Sequence, residues 1–243
     1  MEIAITHLGN ISQLIPATSV IRGIKKQQVN TNITWVVEKK EFCYFNDYNK
    51  DVKRTITIDQ FAKEEKEYDL LINLYPYFPE DLKVSSVIRN ATGFYFHPYF
   101  DKFEKVFSGD SRDFPEMNLF QLYFILSGMI WKGEGYDIRY YPKTKTKSNK
   151  VGVSVASANV RNYVLDNLEI DSKKIWYIPY KKNIFKRMNE INKCKKIITD
   201  DLITFHLSMS MRKYVYYLDT FTLSTKLELF NRGEICKVPM NII

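Results

Sequence analysis

Short apolar runs alternate with segments of helical periodicity along the whole chain, and this alternation sets the fold class. Strands separated by helices of about 10–15 residues build parallel βαβ units rather than hairpins. In the first half the strands are expected at "IAIT", "ITWVVE" (Ile33 to Glu38), "TITI" (Thr55 to Ile58), "YDLLINL" (Tyr68 to Leu74) and "ATGFYF". The helices are expected from Ile11 to Gln28, from a cap at Asp59 to about Glu67, over "PEDLKVSSVIRNA", and from Asn118 to Trp131. In the second half "VGVSVAS", "KKIWYIPY", "KKIITDD", "KYVYYLDT" and "EICKVP" read as strands. Between them "NVRNYVLDNLEI", "NIFKRMNEINKC", "LITFHLSMSMR" and "TLSTKLELFNRG" read as helices, the last stopped by Gly233.

The expected organisation is α/β, with two Rossmann-like domains. They span 1–131 and 151–243, joined by a basic linker over 132–150 with lysines at 143, 145, 147 and 150. In open parallel sheets ligands sit beyond the carboxyl ends of the strands. That singles out the loops His7 to Ser12, Ser154 to Asn159, Tyr180 to Asn183, Asp200 to Thr204 and Asp219 to Ser224.

Charge narrows the partners. The net charge is +8, which favours anionic ligands, yet the basic residues are scattered and no nucleic-acid motif accompanies them. Nucleic acid is therefore not expected as a partner. The 3 cysteines, Cys43, Cys194 and Cys236, are far apart and form no zinc pattern, so a metal-free, reduced, cytoplasmic protein is expected. The opening residues lack a signal-peptide pattern. The apolar stretch from Asn118 to Trp131 is shorter than the roughly 20 residues a bilayer span needs, so no transmembrane segment is expected.

Several segments in order resemble glycosyltransferase family 9, the ADP-heptose:lipopolysaccharide heptosyltransferases. "ITHLGNISQLIPATSVIRGIKK…ITWVVE" is similar to the family's opening at Gly9, Ala17, Thr18, Ile21, Arg22 and Trp35 to Glu38. "CKKIITDDLITFHLSMSMRKYVYYLDTFTLSTKLELFNRGEICKVP" is similar to its C-terminal signature at Cys194, Asp201, His206, Leu207, Thr222, Ser224, Arg232, Gly233 and Glu234. The resemblance implies a GT-B arrangement of two Rossmann-like domains, here with a reduced C-terminal one. It also implies a nucleotide sugar bound mainly by the C-terminal half, and inverting transfer to an acceptor hydroxyl without an essential metal or other cofactor.

Inverting transfer needs a base at the acceptor hydroxyl and fixed donors at the departing diphosphate. The resemblance places the base at an Asp in the first turn, where this chain has Asn10, an amide that takes up no proton near neutrality. His7 is the nearest substitute base; the alternative is a strand-end histidine bonded to nearby backbone. On the donor side the resemblance points to Asp201, Thr204, His206, Arg161, Thr222 and Ser224. Asp201 reads equally as a helix cap and His206 as a packing residue. Ile203 stands where the family carries Gly, and the family's Gly-Gly-x-x-Glu-type donor loop has no counterpart. The expected function is therefore a degenerate, pseudoenzyme-like relative that binds a glycan or a partner protein in bacterial surface or protein glycosylation. Such a partner is a second glycosyltransferase or another copy of the chain. An active inverting transferase using a nucleotide sugar is the alternative.

Overall fold

The computed structural model describes residues 1–77, 89–108, 117–146, 149–179, 183–220, 226–239 and 242. They fall into two compact units, Met1–Arg139 with Ser224–Glu228 and Tyr140–Leu223 with Leu229–Ile243. Each unit is built on one five-stranded sheet, and every paired strand is parallel.

In the first unit β1 (Glu2–His7), β2 (Asn32–Val37), β3 (Val52–Thr57), β4 (Leu70–Asn73) and β5 (Ala91–Gly93) lie in the order β3-β2-β1-β4-β5. Ile3, Ile5, Ile33, Trp35, Val37, Leu71 and Ile72 are buried. Near-continuous burial along these strands is what a parallel sheet covered on both faces demands.

The helix expected from Ile11 to Gln28 is two helices, α1 (Ile11–Ala17) and α2 (Ser19–Gln27). Pro16 has no backbone N–H to continue the ladder, and the Thr18 hydroxyl donates to the Ile15 carbonyl at 2.7 Å. The cap expected at Asp59 belongs instead to Thr57. Thr57 and Gln60 form a reciprocal capping box on the one-turn helix α3 (Ile58–Phe61), which stops well before Glu67.

"ATGFYF" is β5 followed by a 3-10 turn over Phe94–Phe96. Gly93 has φ +116°, and an added Cβ would lie 2.0 Å from the Asn73 carbonyl oxygen, so glycine is required there. The sequence reading missed α4 (Phe100–Ser108), although Phe103, Val106 and Phe107 recur at helical spacing and are buried. Helix α5 (Leu119–Leu126) is capped by Asn118, where the expected helix begins, but Gly128 at φ +68° ends it before Trp131. The helix expected over "PEDLKVSSVIRNA" lies almost wholly outside the described residues.

Residues 132–139, expected as solvated linker, are pinned to the first unit. Lys26 Nζ donates to Glu134 at 2.9 Å, and Arg22 donates to the Tyr136 carbonyl at 2.9 Å. Asp137 is buried and accepts from Arg22 at 3.3 Å, Asn49 at 3.1 Å and Arg139 at 3.2 Å. Two carboxylates thus hold a segment whose composition reads as basic. The chain continues in the second unit, where the Tyr140 and Thr144 hydroxyls both donate to Asn189.

The second unit contains β6 (Val151–Ser154), α6 (Ala158–Asn167), β7 (Ile175–Tyr177), α7 (Ile184–Asn192), β8 (Lys196–Thr199), α8 (Leu202–Ser210), β9 (Tyr214–Asp219) and β10 (Gly233–Lys237). The strand order is β10-β9-β8-β6-β7. The helix expected over "TLSTKLELFNRG" is absent from its described part, residues 226–232. Lys226 instead pairs with Asn118, whose side-chain amide donates to Glu228 at 3.1 Å within the first unit. Gly233 opens β10 rather than closing a helix. A Cβ there would sit 2.3 Å from the Val215 carbonyl oxygen of the neighbouring strand.

Both sheets change direction of strand addition once. In the first the reversal lies between β1 and β4, in the second between β6 and β8. These reversals are where open α/β sheets offer a crevice at their carboxyl edge.

Candidate functional site

At the reversal in the first unit, β1 runs into the turn Leu8-Gly9-Asn10 and then α1. A Cβ on Gly9 would lie 2.5 Å from the Tyr75 ring and 2.7 Å from Gln13 Oε1, so the close passage of Tyr75 selects glycine. Asn10 is exposed and caps α1. Its Oδ1 accepts from the Gln13 N–H at 3.2 Å and from the Ser12 hydroxyl at 2.6 Å. The amide thus serves the helix start, a role that asparagine and aspartate fill about equally well.

His7 is fully buried at the end of β1. Its Nε2 lies 3.1 Å from the Tyr123 hydroxyl, which in turn donates to the Gln13 carbonyl at 3.1 Å. With the Tyr123 proton committed to Gln13, His7 Nε2 is the donor and Nδ1 carries the lone pair. That Nδ1 has no hydrogen-bond partner among the described residues. Tyr75, Phe107 and Tyr123 surround the imidazole, with ring centroids 5.7, 6.4 and 5.7 Å away. Burial in this aromatic setting pushes the His7 pKa down to about 3 and the Tyr123 pKa well above the ordinary tyrosine range. The hydrogen bond expected from nearby backbone runs instead to a tyrosine on α5. Thr6 and Asn73, paired in register across β1 and β4, are also fully buried beside this turn.

At the reversal in the second unit, Asp201 caps α8. One carboxylate oxygen accepts from the Thr204 N–H at 2.8 Å, the Thr204 hydroxyl at 2.6 Å and the Arg187 guanidinium at 2.6 Å. Arg187 also donates to the Thr204 hydroxyl at 3.3 Å, and Ser154 Oγ lies 3.4 Å from the same oxygen. Asp200, the preceding residue, accepts from the Ala156 N–H at 3.1 Å, in the loop between β6 and α6. The Ser157 hydroxyl caps α6 through the Val160 N–H. The structure thus brings Asp201 and Thr204 together, as cap and capped residue.

The remaining expected residues separate. His206 points into the core of α8 beside Phe205, with ring centroids 5.1 Å apart, and burial lowers its pKa to about 3. Arg161 lies over the Tyr177 ring, 5.4 Å from its centroid. Thr222 and Ser224 lie outside the described residues. No group of His, Cys, Asp or Glu arranged to hold a metal occurs among the described residues. No helix among them is long and apolar enough to cross a membrane.

The sequence reading missed three contributors. Tyr123 carried a signal: a hydroxyl in an otherwise apolar helix needs a buried partner. Arg187 carried another, because it falls beside Ile184, Met188 and Ile191 on the buried stripe of α7. Asp200 heads one of the loops singled out above, but no role was read for it, since only folding brings Ala156 to it.

No protein-family model matches the sequence. Among curated proteins the chain is similar to mouse glutathione S-transferase A3, at 28% identity over 96 residues. That match covers 39% of this chain and 40% of the mouse protein, so the chain spans about two fifths of that relative's length. Structural likeness extends much further. A glycosyl transferase of family 9 from Veillonella parvula superposes with TM-score 0.66 at 14% identity, over 98% of this chain and 86% of that one. Escherichia coli ADP-heptose lipopolysaccharide heptosyltransferase II gives TM-score 0.66 at 10% identity, over 99% and 91%. Escherichia coli heptosyltransferase WaaC with ADP-2-deoxy-2-fluoro heptose gives 0.63 at 10%, over 100% and 95%. Two parallel sheets, the shared course of nearly the whole chain and the turn after β1 agree on one conclusion: this chain has the fold of the family 9 heptosyltransferases.

Proposed function

We propose that this chain is a heptosyltransferase-like protein that no longer carries out ordinary sugar transfer and acts in bacterial glycosylation by binding a glycan or an active transferase. One observation carries this reading: the turn after β1 holds no group able to accept a proton at neutral pH. Asn10 is a capping amide, and His7 is buried with a pKa of about 3 and its donor nitrogen turned to Tyr123. A general base works best with a pKa near the operating pH and within hydrogen-bond reach of the acceptor. A cytoplasmic place of action belongs to the same reading.

Active inverting transfer is the second reading, favoured by the structural neighbours described as heptosyltransferases, one of them holding an ADP-heptose analogue. A transfer assay separates the two. The purified chain is incubated with ADP- and UDP-sugars and bacterial glycan acceptors, and product is followed by mass spectrometry. The proposal expects no turnover, together with saturable binding of an acceptor glycan or stoichiometric association with a transferase. Repeated turnover by the natural chain would overturn it.

A further inference from the structure

We infer that the amino edge of the second unit's sheet is a docking surface for an anionic lipid bilayer. The inference goes beyond the function proposed above. It concerns the end of the sheet opposite the reversal crevice and holds whether or not sugar is transferred.

The residue before each strand of the second sheet is basic. Lys150 precedes β6, Lys174 β7, Lys195 β8, Lys213 β9 and Arg232 β10. The strands are all parallel, so their starts lie along one edge. In the first unit the same positions hold Met1, Thr31, Asp51, Asp69 and Asn90, without a basic side chain among them. Lysine and arginine make up 36 of 243 residues. A basic residue before every strand of one sheet and before no strand of the other is therefore a pattern rather than scatter. Cations also suit helix C-termini, but that accounts only for Lys195 and Lys213, which follow α7 and α8. Lys174 ends a 3-10 turn, and Arg232 follows a stretch that is not helical.

The lysine run of the sequence joins the same edge. Helix α7 ends at Asn192, just before the start of β8. The Lys143 N–H donates to Asn189 Oδ1 at 3.2 Å, and the Thr144 hydroxyl donates to the Asn189 carbonyl at 2.8 Å. Lys213 is buried, and its Nζ donates to Thr146 Oγ1 at 3.3 Å and to the Asn192 carbonyl at 3.2 Å. Lys143 and Lys145 are thereby held beside the strand starts, and both are exposed. Ion pairs within the second unit join Lys193 to Glu190 and Arg187 to Asp201. Among the described residues none engages Lys145, Lys174, Lys195 or Arg212, all of them exposed. Glu169, Asp171 and Glu234 also lie toward this edge and are outnumbered by the cations.

The form of the edge selects the partner. Strand starts about 4.8 Å apart make a row about 19 Å long, which suits a flat anionic surface. Each lysine or arginine brought near an anionic leaflet adds to the attraction. Tyr141, 85% exposed, stands two residues before Lys143, and tyrosine favours the boundary between hydrocarbon and water. No nucleic-acid motif accompanies the basic residues.

Co-sedimentation of the full chain with vesicles tests this, using phosphatidylcholine alone and phosphatidylcholine mixed with phosphatidylglycerol. Binding is expected only to the mixed vesicles. It should weaken when salt is raised from about 0.1 M to about 1 M, which shortens the screening length from about 10 Å to about 3 Å. The Lys174→Gln, Lys195→Gln double variant is expected to bind at least about tenfold more weakly, the effect of removing two cations from an anionic leaflet. A Lys39→Gln, Lys40→Gln double variant changes the net charge equally at exposed positions of the first unit, and is expected to bind like the natural chain. Circular dichroism checks that both variants are folded. No binding to the mixed vesicles, equal binding to both kinds of vesicle, or the same affinity in the two double variants would overturn the inference. Preferential binding of duplex DNA or of polyglutamate in competition with the mixed vesicles would also overturn it, because the edge then serves another polyanion. None of these results bears on the transfer assay, so failure here is distinct from failure of the proposed function.

Discussion

The Tyr123 hydroxyl stands 3.1 Å from His7 Nε2 and 3.1 Å from the Gln13 carbonyl, joining α5, β1 and α1 through one side chain. Replacing Tyr123 by Phe keeps the ring packing and leaves a buried imidazole N–H without its acceptor. An unsatisfied buried donor costs about 1–3 kcal/mol. Denaturant unfolding of the Tyr123→Phe variant is expected to show that loss, and a midpoint equal to the natural chain's would refute the contact's importance.

His7 and His206 should remain neutral across the physiological range, because burial holds both near a pKa of about 3. The unfolded chain binds these protons near pH 6.5. Between those values the unfolded state carries more protons, so stability rises with pH. The contribution is complete above about pH 6.5 and is lost as pH falls toward 3, by up to about 1.4 kcal/mol per pH unit for each histidine. Histidine ring signals followed by NMR from pH 8 to 4 should stay unshifted for both residues. A midpoint near 6.5 for His7 would restore it as a candidate base.

Arg187 and Asp201 form an enclosed ion pair at the second reversal, with side-chain exposures of 7% and 16%. Arg187→Met should be costly, since removing one partner strands the other's charge; such changes cost about 3–5 kcal/mol when the pair is buried. Asp201 is partly open to water, so the lower end of that range is expected. Thermal unfolding checks the size, and a loss below about 0.5 kcal/mol, the level of an ordinary surface substitution, would show the pair to be incidental.

Asn10→Asp should fold normally, because both residues cap helices well, and stability should change by no more than about 0.5 kcal/mol. It supplies the carboxylate that transfer chemistry wants at this turn. Transfer, measured with the same donor panel, is therefore expected in the Asn10→Asp variant and not in the natural chain. Absence of transfer in the Asn10→Asp variant would show that the loss is not confined to this turn.

Gly93→Ala combines a backbone angle of +116° with a Cβ only 2.0 Å from the Asn73 carbonyl oxygen. Strain at such positions costs about 1–3 kcal/mol before the clash is added. The variant is expected to unfold well below the natural chain's melting temperature, whereas Gly128→Ala, whose Cβ meets nothing within 4 Å, should be the milder change.

The strands were legible because parallel sheets bury both faces. Runs such as Ile33 to Val37 and Leu70 to Asn73 therefore carry apolar residues with little interruption. The helix start at Asp201 was legible from its capping side chain, and the helices expected from Asn118 and Asn183 prove to be capped by those residues. Where two local signals competed, the sequence reading erred. Thr57 rather than Asp59 won the cap because Gln60 reciprocates, and Gly233 serves a close strand contact rather than a helix end.

The sequence by itself determined the α/β grammar and the amide at position 10, because residue identity and local periodicity fix these without reference to distant residues. Only the tertiary structure decided the rest. It turned His7 toward Tyr123, 116 positions away in the chain. It also set Asp200 against Ala156, 44 positions away. Burial and charge placement are properties of the packed chain: a histidine or aspartate acquires its protonation and its partner from whatever the fold brings within a few ångströms.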